Sequence, residues 1–580
     1  MSKQTNAYEG FETFTNAFKM AFKMHAIIIL SLITLHIIIF IGLTDFRQYE
    51  NKAIINWYKV SLAAQMPIDL KVKFPLPNGE WITAIARAIY FEDELSTRMK
   101  KIQGGINSRL KKTALIYLLY PILIFYFHQR AKRQTAKKHI RGETLITPKQ
   151  YQKKIKKNKE KTDLPLGQVT MPVDAETKHL IMVGKTGSGK TNAMNQVVER
   201  LKDRGERGII YDSKGDFISN FYDPDKDIIF NPLDQRTVRW SIFNDIRLKT
   251  DIKAIANSQI PEPPHRENSF WTNTARGIFS GTIKYLNEKG STKNSDIWDF
   301  LNQKDKHIGN ALSSVGEISA KYLTKPDSDT AQSIISTLIS YIEPYEYLAD
   351  IDGDFSIIDW INNGEGFLFI SSFSQIRDTL KPIISLFLDI MAMRLLARPE
   401  NPREKTFFII EELWSLQKLP SLLDLITQSR SKGGALFLSV QEVAQLDAIY
   451  GSNGRKTLFN NCGSQLVFGC SESDTAEYCS KLIGSEEAIE STKTYSLGVD
   501  KFKDGVNLSQ SRRNKRIIMP SEIRALNDLE SITKFNGYSP TRNSFAYKEY
   551  DSGQPSFIER GGLKLTRVLN DKEKKVADYG

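Results

Sequence analysis

The residues with the clearest chemical potential are Gly184, Lys185, Thr186, Gly187, Ser188, Gly189, Lys190 and Thr191, a full match to G-x-x-x-x-G-K-[ST]. Glycines at this spacing let successive backbone N–H groups turn inward around phosphate oxygens. Lys190 then reaches the β- and γ-phosphates of a nucleoside triphosphate, and the Thr191 hydroxyl serves as a ligand to Mg²⁺. Such chemistry also needs carboxylates, and Glu411 and Glu412 supply an adjacent pair. In that pair Glu411 takes the metal role and Glu412 polarises the attacking water as the base. The metal position more often carries aspartate; glutamate is one methylene longer, and Mg²⁺ demands near-ideal octahedral geometry, so metal positioning is where this chain departs from the usual pattern. Gln441 closes an apolar run, where it either senses the γ-phosphate and places the water or simply caps a strand. Arg430 lies in a loop, QSRSKGG over 428–434. It is either a finger reaching a neighbouring subunit's nucleotide or a solvent-exposed arginine.

These groups need elements that hold them. Leu180–Val183 is an apolar run of strand length directly before the glycine loop, and 192–201 places Met194, Val197, Val198 and Leu201 at helical spacing. Strand, glycine loop and helix N-terminus are the context a phosphate loop requires, because the helix start adds its partial positive charge. Further apolar strands are expected at 208–212, 228–231, 366–371, 406–410 and 435–440, several alternating with helical patterns. That alternation predicts an α/β fold with a parallel, doubly wound sheet. The two carboxylates follow the 406–410 strand directly. Between 248 and 347 the texture changes to helical patterns with few β-branched runs, which predicts an all-helical insertion.

The formal charge of +13 invites a nucleic-acid reading, but its distribution weakens it. Between Arg130 and Lys161 thirteen basic residues face only Glu143 and Glu160, so this segment carries +11 and the rest of the chain only +2. A generally basic DNA-binding surface is therefore not indicated. The three cysteines, Cys462, Cys470 and Cys479, lack C-x-x-C spacing, which excludes a disulfide framework and a zinc site and predicts buried thiols in a reducing compartment.

Residues 26–43 are eighteen uncharged positions, AIIILSLITLHIIIFIGL, long enough to cross a hydrocarbon core. The run is longer than a leader's apolar region and no A-x-A-like site follows it. His36 within it reads as a tolerated polar residue. A second run, 113–127, is rich in aromatics and flanked by Lys111, Lys112, Arg130, Lys132 and Arg133; Pro121 is expected to kink it. Basic residues next to a membrane helix stay in the cytoplasm, so both termini are expected there and 45–112 on the far side, with Trp57, Trp81 and the turn at 75–79 suggesting a small folded domain. Retention and contact of the basic block with anionic lipid need no further assumption, and DNA contact near the membrane is a second job compatible with them.

Taken together, the two apolar runs, GKTGSGKT, FWTNTAR at 270–276, IIEELWSLQKLP at 409–420, SRSKGG at 429–434 and SVQE with Tyr450-Gly451 resemble, in this order, the coupling proteins of type IV secretion and conjugation, of the TraD type. DSKGD at 212–216 and NPLD at 231–234 agree with them. The resemblance spans about 20–540 and places the chain among FtsK- and HerA-like hexameric P-loop ATPases. It implies a RecA-like P-loop NTPase sheet, preceded by two transmembrane helices and interrupted by the helical insertion. It also implies ATP and Mg²⁺ as cofactors, nucleotide roles for Lys190, Thr191, Glu411, Glu412 and Gln441, and Arg430 as a finger acting in trans. The implied partners are single-stranded or double-stranded DNA, a relaxase and its relaxosome, secretion-channel components, inner-membrane lipids and five further copies of the chain in a homohexamer.

The expected organisation is a cytoplasmic N-terminus (1–25), a first span (26–44), a periplasmic domain (45–112), a second span (113–129) and a basic linker (130–163). The nucleotide-binding domain then occupies 164–247 and 348–545 around the insertion (248–347), and a tail runs over 546–580. The function implied is ATP-driven DNA translocation at the bacterial inner membrane. The alternatives are a nucleotide-binding recruitment platform for secreted proteins and an FtsK-like chromosomal DNA pump.

Overall fold

The computed structural model describes residues 2–44, 49–135, 138–263, 269–324, 329–348, 350–372, 375, 377–496 and 505–561. Residues 562–580 of the tail and Lys137 of the basic block lie outside them. The chain divides into two units, Met1–Lys138 with Ile489–Ser511, and His139–Ala488 with Arg512–Gly580.

In the first unit a continuous helix, Ser2–Leu43, contains the first apolar run. Two stretches, Ala21–Leu43 and Asp93–Arg130, are helical, long and apolar enough to cross a membrane. The second is not one regular helix. Asp93–Ala114 passes into a 3-10 turn, Leu115–Leu118, before Leu119–Thr135 resumes. Pro121 accounts for the break, since its ring displaces the carbonyl four residues earlier and it donates no backbone bond. His36 is fully engaged: Nδ1 is 2.9 Å from the Tyr117 hydroxyl and Nε2 is 2.9 Å from Thr113 Oγ1. His25 pairs likewise with Tyr120 at 2.7 Å. Polar groups on apolar helices are retained where they find partners across the helix interface. Between the runs, Tyr49–Ala64 packs on a hairpin, Lys71–Pro75 with Trp81–Ile85, around Trp57, Phe74 and Met99. Trp57 is buried, whereas Trp81 is exposed.

Among the described residues, the second unit is built around a sheet of nine strands. They are β1 Leu180–Val183, β2 Arg207–Asp212, β3 Ile228–Phe230, β4 Phe367–Ser371, β5 Thr406–Ile410, β6 Gly434–Val440, β7 Ser464–Phe468, β8 Glu530–Lys534 and β9 Thr541–Ser544. Their order across the sheet is β9-β8-β7-β1-β6-β5-β2-β4-β3. The seven from β7 to β3 are parallel, and β8 and β9 add an antiparallel edge. Parallel strands covered on both faces read as unbroken apolar runs, which is why β1, β5 and β6 were legible. Alternate residues feed two cores. Ile181, Val183, Leu436 and Leu438 face one, with the inserted helices; Leu180, Met182, Phe407 and Phe437 face the other, with helix α1, Lys190–Asp203.

The regular elements among the insertion's described residues are all helical, from Lys249–Gln259 to Asp329–Ile342. It is tied down by Asp389 in helix α2, Arg377–Ala397, whose buried carboxylate accepts bonds from the Ser258 hydroxyl and from Ser421 N (2.9 Å) and Oγ (3.1 Å). The basic segment is more ordered than a linker. Pro148–Asn158 is a helix with a Thr147/Gln150 capping box, and Tyr151 and Ile155, four residues apart, bury one face while the lysines line the other. The three cysteines are buried and free.

Candidate active site

The glycine loop follows the C-terminal end of β1. Gly187 and Gly189 adopt φ of 78° and 106°, in the left-handed region that favours glycine. A Cβ on Gly184 would lie 2.7 Å from Phe468 Cβ and 2.9 Å from Ser188 Oγ, so the loop closes tightly on β7. Lys185 N donates to Gly469 O and Ser188 Oγ to Lys185 O, fixing the loop's curvature. Thr186 lines the mouth of the resulting cavity. Lys190, at the start of α1, donates from Nζ to Gly184 O (2.5 Å) and Lys185 O (2.9 Å). Burial lowers its pKa to about 8, with the Lys214 charge adding to the effect.

The carboxylates converge from two strands away, because β6 lies between β1 and β5. Thr191 Oγ1 donates to Glu411 Oε1 at 2.8 Å, while Glu411 Oε2 is buried without a partner. Burial first, then the Asp212 carboxylate, raise the Glu411 pKa to about 7. Glu412 is held differently. It accepts from Ser213 Oγ at 3.0 Å, Trp414 Nε1 at 3.1 Å and Gln441 Nε2 at 2.9 Å. The last contact explains why Gln441 ends β6, the strand that separates the loop from the acids. Asp212, fully buried, accepts from the backbones of Lys214, Gly215 and Ile218 and so shapes the 212–216 motif beside the acids.

Gly187, Gly189, Lys190, Thr191, Glu411, Glu412 and Gln441 line a cavity of about 300 Å³. A nucleoside triphosphate with Mg²⁺ fits this donor set: a cradle that only glycine can form, a lysine at its base, and a hydroxyl beside a carboxylate with one oxygen free. Arg430 is not brought into it. The residue is exposed in a 3-10 turn, Ser429–Lys432, that precedes β6, at the opposite end of the parallel strands, and its charge acts on His179 before β1.

Three further residues line the cavity that local sequence reasoning did not reach: Asp528, Leu529 and Tyr547. Leu529 N donates to Ser188 O at 2.9 Å from a backbone with φ of 65°. A Cβ on Gly189 would meet Leu529 Cδ2 at 2.8 Å. They arrive from the antiparallel edge, more than three hundred residues downstream, so no local pattern announces them. Lys214, also in the lining, sits in DSKGD, a motif that could have drawn attention to it.

The motifs outside the cavity serve its frame. Gln417 donates to Ser258 O and Gln259 O, joining the EELWSLQKLP run to the insertion. The Tyr450 hydroxyl accepts from Leu419 N at 3.2 Å, and Gly451, at φ 70°, breaks the Val443–Asn461 helix just beyond. FWTNTAR opens the Ser269–Glu288 helix, where Arg276 Nε donates to Ile260 O.

A central phosphate-loop strand, one intervening strand and an acid-ended strand define a P-loop NTPase of the RecA-like kind. Residues 163–543 match the family model described as the type IV secretion-system coupling protein DNA-binding domain, and the chain belongs to that family of coupling proteins. It is 28% identical to the coupling protein TraD of Escherichia coli (strain K12), over 77% of this chain and 64% of that one. It therefore spans just under two-thirds of that relative's length. The protein VirD4 of Agrobacterium fabrum is 22% identical over 64% of this chain and 58% of its own. The solved structure of the bacterial conjugative coupling protein TrwBdeltaN70 superimposes with a TM-score of 0.65 at 30% identity, covering 73% of this chain and 97% of that one.

Proposed function

We propose that this protein is an ATP-driven DNA translocase of the bacterial inner membrane that couples a relaxase–DNA substrate to a type IV secretion channel. The observation that carries the reading is the convergence of Lys190, Thr191, Glu411, Glu412 and Gln441 at one end of the sheet. TrwB has been solved with ADP and Mg²⁺ and with analogues of ATP and GTP, which supports purine nucleotide binding by this chain as well.

When bound, ATP with Mg²⁺ supplies a transferable γ-phosphoryl group and neutralises its charge. Gly184 to Gly189 would wrap the phosphates with backbone N–H groups, Lys190 would contact the β- and γ-phosphates, and Thr191 with Glu411 would hold the metal. Glu412 accepts the proton of the attacking water, and Gln441 fixes both Glu412 and that water. Arg430, exposed and remote from its own chain's cavity, acts on the nucleotide of the neighbouring subunit in a homohexameric ring, where it stabilises transition-state charge. The ring passes the transfer strand as single-stranded DNA, with double-stranded DNA as the other possible substrate, and the relaxase and channel components bind outside it.

The two apolar stretches and the basic block support a membrane arrangement with both termini cytoplasmic, 45–112 periplasmic and the basic block in contact with anionic lipid. Lys190→Ala is expected to abolish both nucleotide turnover and conjugative DNA transfer in a mating assay; normal transfer by that variant would sink the motor reading. In an assembled ring, ATPase activity indifferent to both DNA forms would favour the recruitment platform instead.

A further inference from the structure

One end of the cavity is explained by phosphate and metal chemistry; the other is not. Beyond the phosphate loop and the acids, its lining also includes Asn192, Asp528, Leu529 and Tyr547. Tyr547 is 72% exposed, an unusual position for a large aromatic ring on an otherwise pinned segment. Two residues before it, Phe545 is buried, packs against Phe468 in a tilted pair with ring centroids 5.5 Å apart, and donates from N to Leu529 O at 2.9 Å. The Asn192 side chain then grips the backbone on both sides of Tyr547. Nδ2 donates to Ala546 O at 3.0 Å, and Oδ1 accepts from Lys548 N at 3.0 Å. Gln196 adds a second bond to Ala546 O at 3.1 Å. Farther along, Lys548 pairs with Glu199, whose second oxygen accepts from the Tyr550 hydroxyl at 3.1 Å. Residues 545–550 thus form a strap along α1, and Tyr547 is the one ring on it turned out to solvent at the cavity mouth.

Asn192 follows Lys190 and Thr191 directly, so the strap is anchored one residue beyond the phosphate-binding pair. A nucleotide with its γ-phosphate toward Glu411 and Glu412 directs its base the opposite way, toward Asn192 and Tyr547. Both Asn192 side-chain groups are committed to the strap and the Asp528 carboxylate is paired with Lys185 at 3.8 Å, which leaves the Tyr547 ring face as the recognition element there. We infer that Tyr547 is the nucleobase platform of the site, stacking on the purine of the bound nucleotide. Stacking reads the face of a ring and not its hydrogen-bonding edge, so it tolerates adenine and guanine alike. The assignment rests on the nucleotide-binding reading above and adds the residue that senses the base.

The test is equilibrium binding to the full-length protein in detergent. It uses a fluorescent ATP analogue, unlabelled ATP and GTP as competitors, and inorganic tripolyphosphate as a competitor with no base. Tyr547→Ala is expected to weaken ATP and GTP by the same factor, about tenfold, and to leave tripolyphosphate unchanged. Tyr547→Phe, which keeps the ring, restores wild-type affinity. Equal weakening of tripolyphosphate would make Tyr547 a structural strap residue and overturn the proposal, as would unchanged ATP affinity in Tyr547→Ala. Failure of the underlying reading looks different: wild-type protein would bind neither ATP nor tripolyphosphate, or Lys190→Ala would bind both as well as wild type does.

Discussion

Glu411 and Glu412 are neighbours in sequence with opposite surroundings, and that difference assigns their work. Glu412 has three donors aimed at it, which suits a base held in one orientation. Glu411 touches only the Thr191 hydroxyl and leaves a buried oxygen unpaired, which suits a group waiting for a cation. The Glu411 carboxylate meets the Thr191 hydroxyl at 2.8 Å across the intervening β6, on a side chain one methylene longer than aspartate. Glu411→Asp is therefore expected to withdraw the carboxylate from Thr191 and weaken Mg²⁺-dependent nucleotide binding by about tenfold. A Mg²⁺ titration of nucleotide affinity checks it; an aspartate variant that binds better would mean the longer side chain is a defect that the fold tolerates.

At the scale of elements, the insertion and the sheet are held together by buried polar clamps as well as apolar packing. Asp389 is the clearest, with a carboxyl whose pKa is raised to about 6 by burial, against the pull of bonds from Ser258 and Ser421. A carboxyl that binds its proton more tightly folded than unfolded costs stability as pH rises. Here the loss accrues between 3.8, its ordinary value, and about 6, and is complete above that. Asp389→Asn keeps the shape and removes the charge, so its unfolding midpoint should lose that part of the pH dependence. Asp389→Ala leaves Ser421 N and two hydroxyls unsatisfied and should cost about 2–4 kcal/mol. Denaturant titrations at pH 4.5 and pH 7.5 measure both. The Tyr450-Gly451 pair belongs to the same scale: the tyrosine hydroxyl accepts from Leu419 N, and the glycine takes the φ of 70° that lets the helix bend away.

For the whole molecule, the position of Arg430 is the decisive geometry. It is exposed at the end of the strands opposite the cavity, so any role at a nucleotide is played on another copy. Separately, Lys190→Ala and Arg430→Ala proteins should both be inactive. Mixed before assembly, they form boundaries that combine an intact loop with an intact arginine, and ATPase activity should recover to roughly a quarter of wild type if subunits mix at random and boundaries act independently. Absence of recovery in mixed rings would remove Arg430 from the mechanism.

The sequence alone determined the phosphate loop, the acid pair, Gln441, the apolar stretches and the helical insertion. Each is contiguous or strictly periodic, so its chemistry is written within a few residues. Only the tertiary structure decided how these parts combine. The sheet order put β6 between loop and acids, turned Gln441 onto Glu412 and left Arg430 at the far end. Burial of Tyr151 and Ile155 converted a run of lysines into a packed helix, and the antiparallel edge carried Leu529 and Tyr547 back over the cavity. These outcomes depend on contacts between residues hundreds of positions apart, which no local spacing encodes.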